Sequence, residues 1–379
     1  MSVVGEMSFV RSTDDFVPCE RSPVVEVGWF GLRNQHEDPD CKEYVDDRDR
    51  QLLRTLAVQW SVLCAMDPDT RLQQYKQEGS HFPTGTWRPL IHLRTWMEHN
   101  RAAFDRFSPH IVCSGRAVGL LLDQPNTTHK KTGHQFVACR RQNIVYFACA
   151  QQNAASKPTA VNGAKPSGVQ QLDLVTTESS EVNAQNISID YFYSVLGWTI
   201  GSTRLLYSHK IDCIEPSMGA APGSYTYLGV VEDHRARGPD KPRCPLKYQT
   251  LDRAIWNRCT VSGSKRVVLG ITQNNELIRC DMIQPAGIPD KTQCPLATCN
   301  HWSKRRSISY LNQVLEFIRA VVQKDYKCAA YGFTVDCRIR DHVSVQAVEW
   351  TAGTEDFEAN NILRVWEEDA PAPAALQPR

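Results

Sequence analysis

Between residues 187 and 280 the chain runs ISIDYFYSVL, LLYSHKIDCI and SYTYLGVVED, then a helical stretch over 246–260, then KRVVLGIT and ELIRC on either side of QNN. Strand-length runs rich in Val, Ile, Tyr and Phe, broken by one helix, demand a substantial sheet. The QNN turn between the last two runs predicts a hairpin. Further strands are predicted over 24–32 (VVEVGWFGL), 134–141 (HQFVACRR), 143–150 (NIVYFACA) and 342–350 (HVSVQAVEW), where Val343, Val345 and Ala347 alternate. Helical spacing predicts helices over 48–64 (Leu52, Leu53, Leu56, Trp60, Leu63) and 88–106 (Leu90, Leu93, Trp96, Met97). A third apolar stripe, Ile308, Leu311, Leu315, Ile318 and Val322, predicts a helix over 308–323. The balance is a mixed α/β or α+β domain.

Three stretches lie outside this pattern. Residues 1–23 read as a flexible lead-in, and the tail EEDAPAPAALQPR (367–379) is Pro/Ala-rich and reads as disordered. The stretch around QQNAASKPTAVNGAKPSGVQQ, about residues 151–181, has almost no large apolar side chains and is expected to be a loop or disordered insert. The domain therefore spans 24–366.

Lys and Arg number 43 against 42 for Asp and Glu, a net charge of +1, so any nucleic-acid site must be a local basic patch. The first 20 residues are too polar for a signal peptide, and no apolar run reaches membrane-spanning length. The 14 cysteines form no CxxC pair, which indicates reduced thiols in the cytosol or nucleus. Cys294, Cys299 and His301 could begin a zinc site, but they match no common spacing and the fourth ligand is unassigned. The chain carries no P-loop, HExxH, GxSxG or post-strand GxGxxG.

The order GSTRLLYSHKIDCIEP, SYTYLGVV, a helix containing Trp256, and RVVLGIT with its hairpin resembles the DXO family of decapping enzymes and 5′-end exoribonucleases. VVEVGWFGL resembles the opening strand of that family. The likeness covers roughly 24–330, with 151–180 unmatched. It implies a single large α+β domain with a central mixed, mainly antiparallel β-sheet flanked by helices. It also implies where a two-metal hydrolytic site would stand. The family's first acidic position falls on Lys210, its partner on Asp212, the Glu of the next strand on Gly229, the catalytic Lys on Val231, and the Gln of the following helix on Arg258. The Glu of a further helical motif would fall between Gln152 and Val182, where the low-complexity stretch lies. An Arg of an earlier motif corresponds, across a gap, to Arg116 in SGRAVG.

Two divalent cations need several oxygen ligands, and one Asp cannot supply them. A lysine beside Asp212 would also repel a bound cation by about 1–4 kcal/mol at intermediate dielectric. The expectation is a non-catalytic member with no metal or other cofactor, whose groove retains cations that neutralise a phosphate without cleaving it. Arg116, Lys210 and Arg258 are the candidate RNA contacts, and Arg140 with Arg141, Lys130 with Lys131, and Lys304–Arg306 could extend the path. The bland alternative is that each is a solvated surface and that Lys210 simply pairs with Asp212.

Degenerate members of this family occur in insect germline nuclei. Likeness to them implies a nuclear protein that shields uncapped RNA 5′ ends at piRNA source loci, in a heterochromatin-bound complex with Rhino and Deadlock. Two alternatives remain at this point. One is an active enzyme with other ligands, such as Glu215, Glu232 or Asp233; the other is a protein scaffold that binds no RNA.

Overall fold

Every strong β-run of the sequence finds a place in one of two sheets. The computed structural model of the protein describes residues 2–10, 19–35, 38–45, 55–56, 90–126, 134–150, 176–177, 191–211, 213–214, 225–232, 245–273, 276–288, 302–337 and 342–363. Within these, the strands are β1 (Ser2–Val10), β2 (Val25–Gln35), β3 (Asp38–Val45), β4 (Thr55–Leu56), β5 (Ile111–Ser114), β6 (His134–Arg141), β7 (Ile144–Cys149) and β8 (Thr176–Thr177). They continue as β9 (Tyr191–Ile200), β10 (Thr203–Ile211), β11 (Cys213–Ile214), β12 (Tyr225–Glu232), β13 (Arg266–Gln273), β14 (Glu276–Ile283), β15 (Ala329–Asp336) and β16 (His342–Thr351). The helices are α1 (Ile91–His99), α2 (Arg101–Phe107), α3 (Gly115–Asp123), α4 (Pro245–Ser262), α5 (Lys304–Val321) and α6 (Glu355–Asn360).

The larger sheet has ten strands in the order β1-β16-β15-β6-β7-β5-β10-β9-β2-β3, and the smaller has six in the order β14-β13-β12-β11-β4-β8. Most neighbours are antiparallel. The parallel pairs are β5 with β7 and with β10 at the centre of the large sheet, and β12 with β13 and β11 with β4 in the small one. This is the α+β arrangement expected: a large mixed, mainly antiparallel sheet flanked by helices.

Both faces of the large sheet are covered, because successive residues of its strands point to opposite sides. One face sends Ile111, Cys113, Trp198, Leu205 and Tyr207 into a core shared with α3, α4 and α5. The other sends Val112, Val137, Val195 and Leu206 toward α1, where Leu93 and Trp96 are buried. The stripe predicted on α5 is the stripe that packs: Leu311, Leu315 and Ile318 are all buried. Helix α1 sits close to β2 because Gly28 has no side chain; a Cβ there would stand 2.5 Å from the Trp96 ring.

Several expectations need correction. The 1–23 lead-in contains β1, a full-length edge strand that Phe9, Met7 and the close approach of Gly5 to Phe317 seal onto α5. In the segment expected to be helix 48–64, Thr55 and Leu56 form β4, which pairs with Thr176 and Thr177 of β8. The insert over 151–181 therefore contributes a strand; the rest of both segments lies outside the described residues. Strand β15 and helix α3 had no counterpart among the elements expected from the sequence. Asp212, Lys130, Lys131, Cys294, Cys299, His301 and the 367–379 tail also lie outside the described residues. Among the described residues, no helix is long and apolar enough to cross a membrane.

Candidate functional site

Strands β5 and β10 run parallel in register, Ser114 beside Ser208, at the centre of the large sheet. Helix α3 starts at the next residue. The Ser114 hydroxyl accepts from the Ala117 amide at 3.3 Å and caps the helix. Gly115 is required by close approach: a Cβ there would lie 2.5 Å from His209 Nδ1 and 2.9 Å from the Ser208 carbonyl oxygen. Thus the first turn of α3 rests directly on the His209 side chain.

Helix α4 closes the same side. The Tyr207 hydroxyl donates to the Val261 carbonyl at 2.9 Å, fixing the last turn of α4 over β10. Arg253 of α4 pairs with Asp123 of α3 at 2.7 Å, and the Asn257 amide donates to the same carboxylate at 3.2 Å. Arg258 follows on the exposed side of the helix, within electrostatic reach of His209. Loss of water around the ring, and then the Arg258 cation, push the His209 imidazole down to about 4. His209 is therefore neutral at physiological pH.

The acidic part of this side is built on β2 and β9. Ser194 pairs with His209 across β9–β10, and Trp29 pairs with Ser194 across β2–β9, so the three share a face. The Ser194 hydroxyl donates to Glu26 Oε2 at 2.8 Å, and the Tyr225 hydroxyl of β12 donates to the same oxygen. Glu26 thus joins the two sheets.

Lys210 faces the other way. It pairs with Tyr193, which pairs with Phe30, and the Phe30 and Tyr193 rings stack with centroids 5.2 Å apart. Alternation along β10 assigns Lys210 and His209 to opposite faces, and it is His209 that Arg258 approaches. Gly229 and Val231 lie on β12, in parallel register with Leu269 and Ile271 of β13. Arg116 is exposed on the first turn of α3. Its charge partly offsets the effect of burial, which raises the Cys149 thiol.

Arg140 and Arg141 do not extend this path. Arg140 and Arg141 end β6 beside the start of β7, at the level where β5 and β10 begin. At about 3.3 Å per residue, that is roughly 15 Å along the sheet from His209. Arg306 is buried in the first turn of α5, and the Lys304 ammonium donates to the Ile288 carbonyl. Sequence reasoning missed His209, Gly115 and Glu26. His209 shares its face of β10 with the core residue Tyr207, and period-two spacing could have flagged it.

Lys210, Gly229, Val231 and Arg258 supply no oxygen ligand for a hard cation. Among the described residues no three His, Cys, Asp or Glu side chains gather as a metal site. Asp212, Glu215 and Asp233 lie outside those residues.

Two sheets, with the parallel strands β5 and β10 at the centre of the larger one, form the frame of this site. Residues 71–366 match the family described as RAI1 like PD-(D/E)XK nuclease, and the chain belongs to that family. Solved structures share the fold. Rai1 of Scheffersomyces stipitis, in complex with (3′-NADP)+ and calcium ion, superposes with TM-score 0.70 at 12% identity, covering 94% of this chain and 98% of that one. Rai1 of Candida albicans, in complex with pU5-Mn2+, gives TM-score 0.65 at 12% identity over 95% of each chain. The decapping and exoribonuclease protein of Xenopus laevis is 24% identical over 162 residues, 42% of this chain and 38% of that relative's length.

Proposed function

We propose that this chain is a non-hydrolysing member of its family that holds an uncapped RNA 5′ end without cleaving it. The observation that supports this is on β12. The family's PD-(D/E)XK motif places an acidic residue two positions before a lysine, and the corresponding stretch of the resemblance is Gly229-Val230-Val231. Neither Gly229 nor Val231 can hold a cation or move a proton. On the strand that would present the first acidic position stands Lys210. No metal or other cofactor enters this reading.

Arg258 and Arg116, both exposed on the α3–α4 side, are the groups that would neutralise a 5′ phosphate, with Lys210 reached only where the RNA crosses the end of β10. The Candida albicans Rai1 complex, which holds pU5, supports RNA as the ligand class. By this reading the protein acts in the nucleus in a role like that of the insect germline factor Cutoff. It shields nascent transcripts of piRNA source loci for transposon silencing, with Rhino- and Deadlock-type chromatin partners.

The test uses purified protein with 5′-monophosphate, 5′-triphosphate and capped RNA in magnesium or manganese. No turnover is expected, together with saturable binding of 5′-monophosphate RNA that weakens on Arg258→Glu. Metal-dependent turnover lost on Asp212→Ala would end this reading and establish an active enzyme. Absence of binding and turnover alike would leave a protein scaffold.

A further inference from the structure

The two sheets have four edges, and three of them are guarded. Strand β3 (DPDCKEYV) carries Pro39 and four charged residues, β14 (ELIRCDMI) carries three, and β8 has only two residues. Charge, proline and shortness each discourage a further strand from adding to an edge. The fourth edge is β1 (SVVGEMSFV), at the end of the ten-stranded sheet. It has no proline and a single charge, Glu6. Strand β16 lines one side of it, and among the described residues no strand pairs with the other side.

One face of β1 is occupied. Phe9 is buried, Met7 packs on the same core, and Gly5 lies against Phe317 and Val321 of α5. The opposite face is open, and there Glu6, Ser8 and Val10 stand beside Gln346, Ser344 and His342 of β16. Among the described residues five large apolar side chains are exposed, and three of them are on this one strand: Val3 at 61%, Val10 at 48% and Val4 at 40%. The outer edge of a sheet presents a row of backbone N–H and C=O groups. Apolar side chains gathered on such an edge suit it to accept another strand.

We propose that β1 pairs antiparallel with β1 of a second copy of this chain, joining the two large sheets edge to edge across a two-fold axis. The sequence of the strand names the occupant, because it is its own complement in one register. An axis normal to the sheet keeps every side chain on its own face, so it passes through a residue that pairs with itself. Through Met7, it sets Val4 opposite Val10, Gly5 opposite Phe9 and Glu6 opposite Ser8. The exposed valines then cover each other, an aromatic ring lies across from the glycine, and the carboxylate meets a hydroxyl. One residue earlier, two Glu6 carboxylates would stand face to face; one residue later, Glu6 would face Val10. The register of β1 against β16 shifts between Val3 and Gly5 and is regular from Gly5 to Val10, so Met7 lies within the regular part of the edge. This surface is separate from the α3–α4 side and does not depend on what that side does.

The test is sedimentation equilibrium of the full chain over a wide range of concentration. The mass of the parent is expected to rise from that of one chain toward that of two. Val4→Lys/Val10→Lys is expected to stay at one chain throughout and to melt with the parent, since both positions are exposed. The register is read by cross-linking under oxidising conditions, with the linked peptides identified by mass. Glu6→Cys and Ser8→Cys are expected to link to each other when the two variants are mixed, and neither to itself. A parent that remains one chain at every concentration would overturn the proposal. So would a dimer that the two lysines leave intact, or Glu6→Cys that links to its own copy.

Discussion

Gly115, the first residue of α3, lies against His209 of β10 so closely that any Cβ would meet the imidazole at 2.5 Å. The second obstacle is the Ser208 carbonyl oxygen at 2.9 Å, which belongs to the backbone and cannot rotate away. Gly115→Ala is therefore expected to destabilise the protein by about 1–3 kcal/mol, from overpacking. Urea denaturation reads this. The double variant Gly115→Ala/His209→Ala is expected to recover only part of the loss; full recovery would show that the histidine alone sets the spacing.

The Tyr207 hydroxyl is buried and bonded to the Val261 carbonyl at 2.9 Å. Tyr207→Phe keeps the ring and leaves that carbonyl without its donor. The expected cost is about 1–2 kcal/mol, with the urea m-value unchanged. A loss confined to α4 would appear as faster amide exchange in its last turn.

Asp123 holds α3 to α4 through Arg253 and Asn257 together. The Arg253 side chain is 13% exposed, so removing its partner leaves a charge largely out of water. Asp123→Ala is expected to cost about 2–4 kcal/mol. Asp123→Asn, which retains an acceptor for Asn257, is expected to cost less, and equal losses in the two variants would argue against the ion pair as the cause.

His209 makes stability depend on pH. Its folded value is pushed down to about 4, against an ordinary 6.5, so between these values the unfolded chain binds the proton and the folded chain does not. The contribution is complete above about pH 6.5 and is lost as pH falls toward 4. The slope for this one group is at most about 1.4 kcal/mol per pH unit. Urea midpoints measured across that range are expected to fall with acidification in the parent and to flatten in His209→Asn. Parallel curves would remove His209 as the cause.

The elements that the sequence displayed are those with long, regular signals. Leu311, Leu315 and Ile318 fall on one helical stripe, and that stripe is what α5 buries. The hairpin of β13 and β14 was legible because two apolar runs flank a turn composition. Strand β5 has only four residues and passes into α3 without a break, so neither period repeats often enough to be read. Leu56, counted toward a helix, instead pairs with Thr176 in a sheet, because long-range pairing overrode local spacing.

The site was legible only in part, for a related reason. Lys210 and Arg258 could be named from the sequence, but which face each occupies depends on partners far along the chain. Tyr193 and Phe30 place Lys210 on one face, and Gly115 places His209 on the other. Arg140 and Arg141 look like ordinary additions to a basic groove until β6 is seen to end at the opposite end of the sheet.

The parallel seam between β5 and β10 also bears on how the protein assembles. His110 and Arg204, hydrogen-bonded at its foot, are 94 residues apart in the chain, and Ser194 and Glu26, bonded nearby, are 168 apart. The centre of the sheet therefore cannot close until distant parts of the polypeptide have met, a topology that folds slowly. Closing such a loop costs only about 0.6 kcal/mol more for each doubling of its length. The seam would therefore tolerate wide changes in the length of the Ala-, Ser- and Pro-rich sequence that precedes β8.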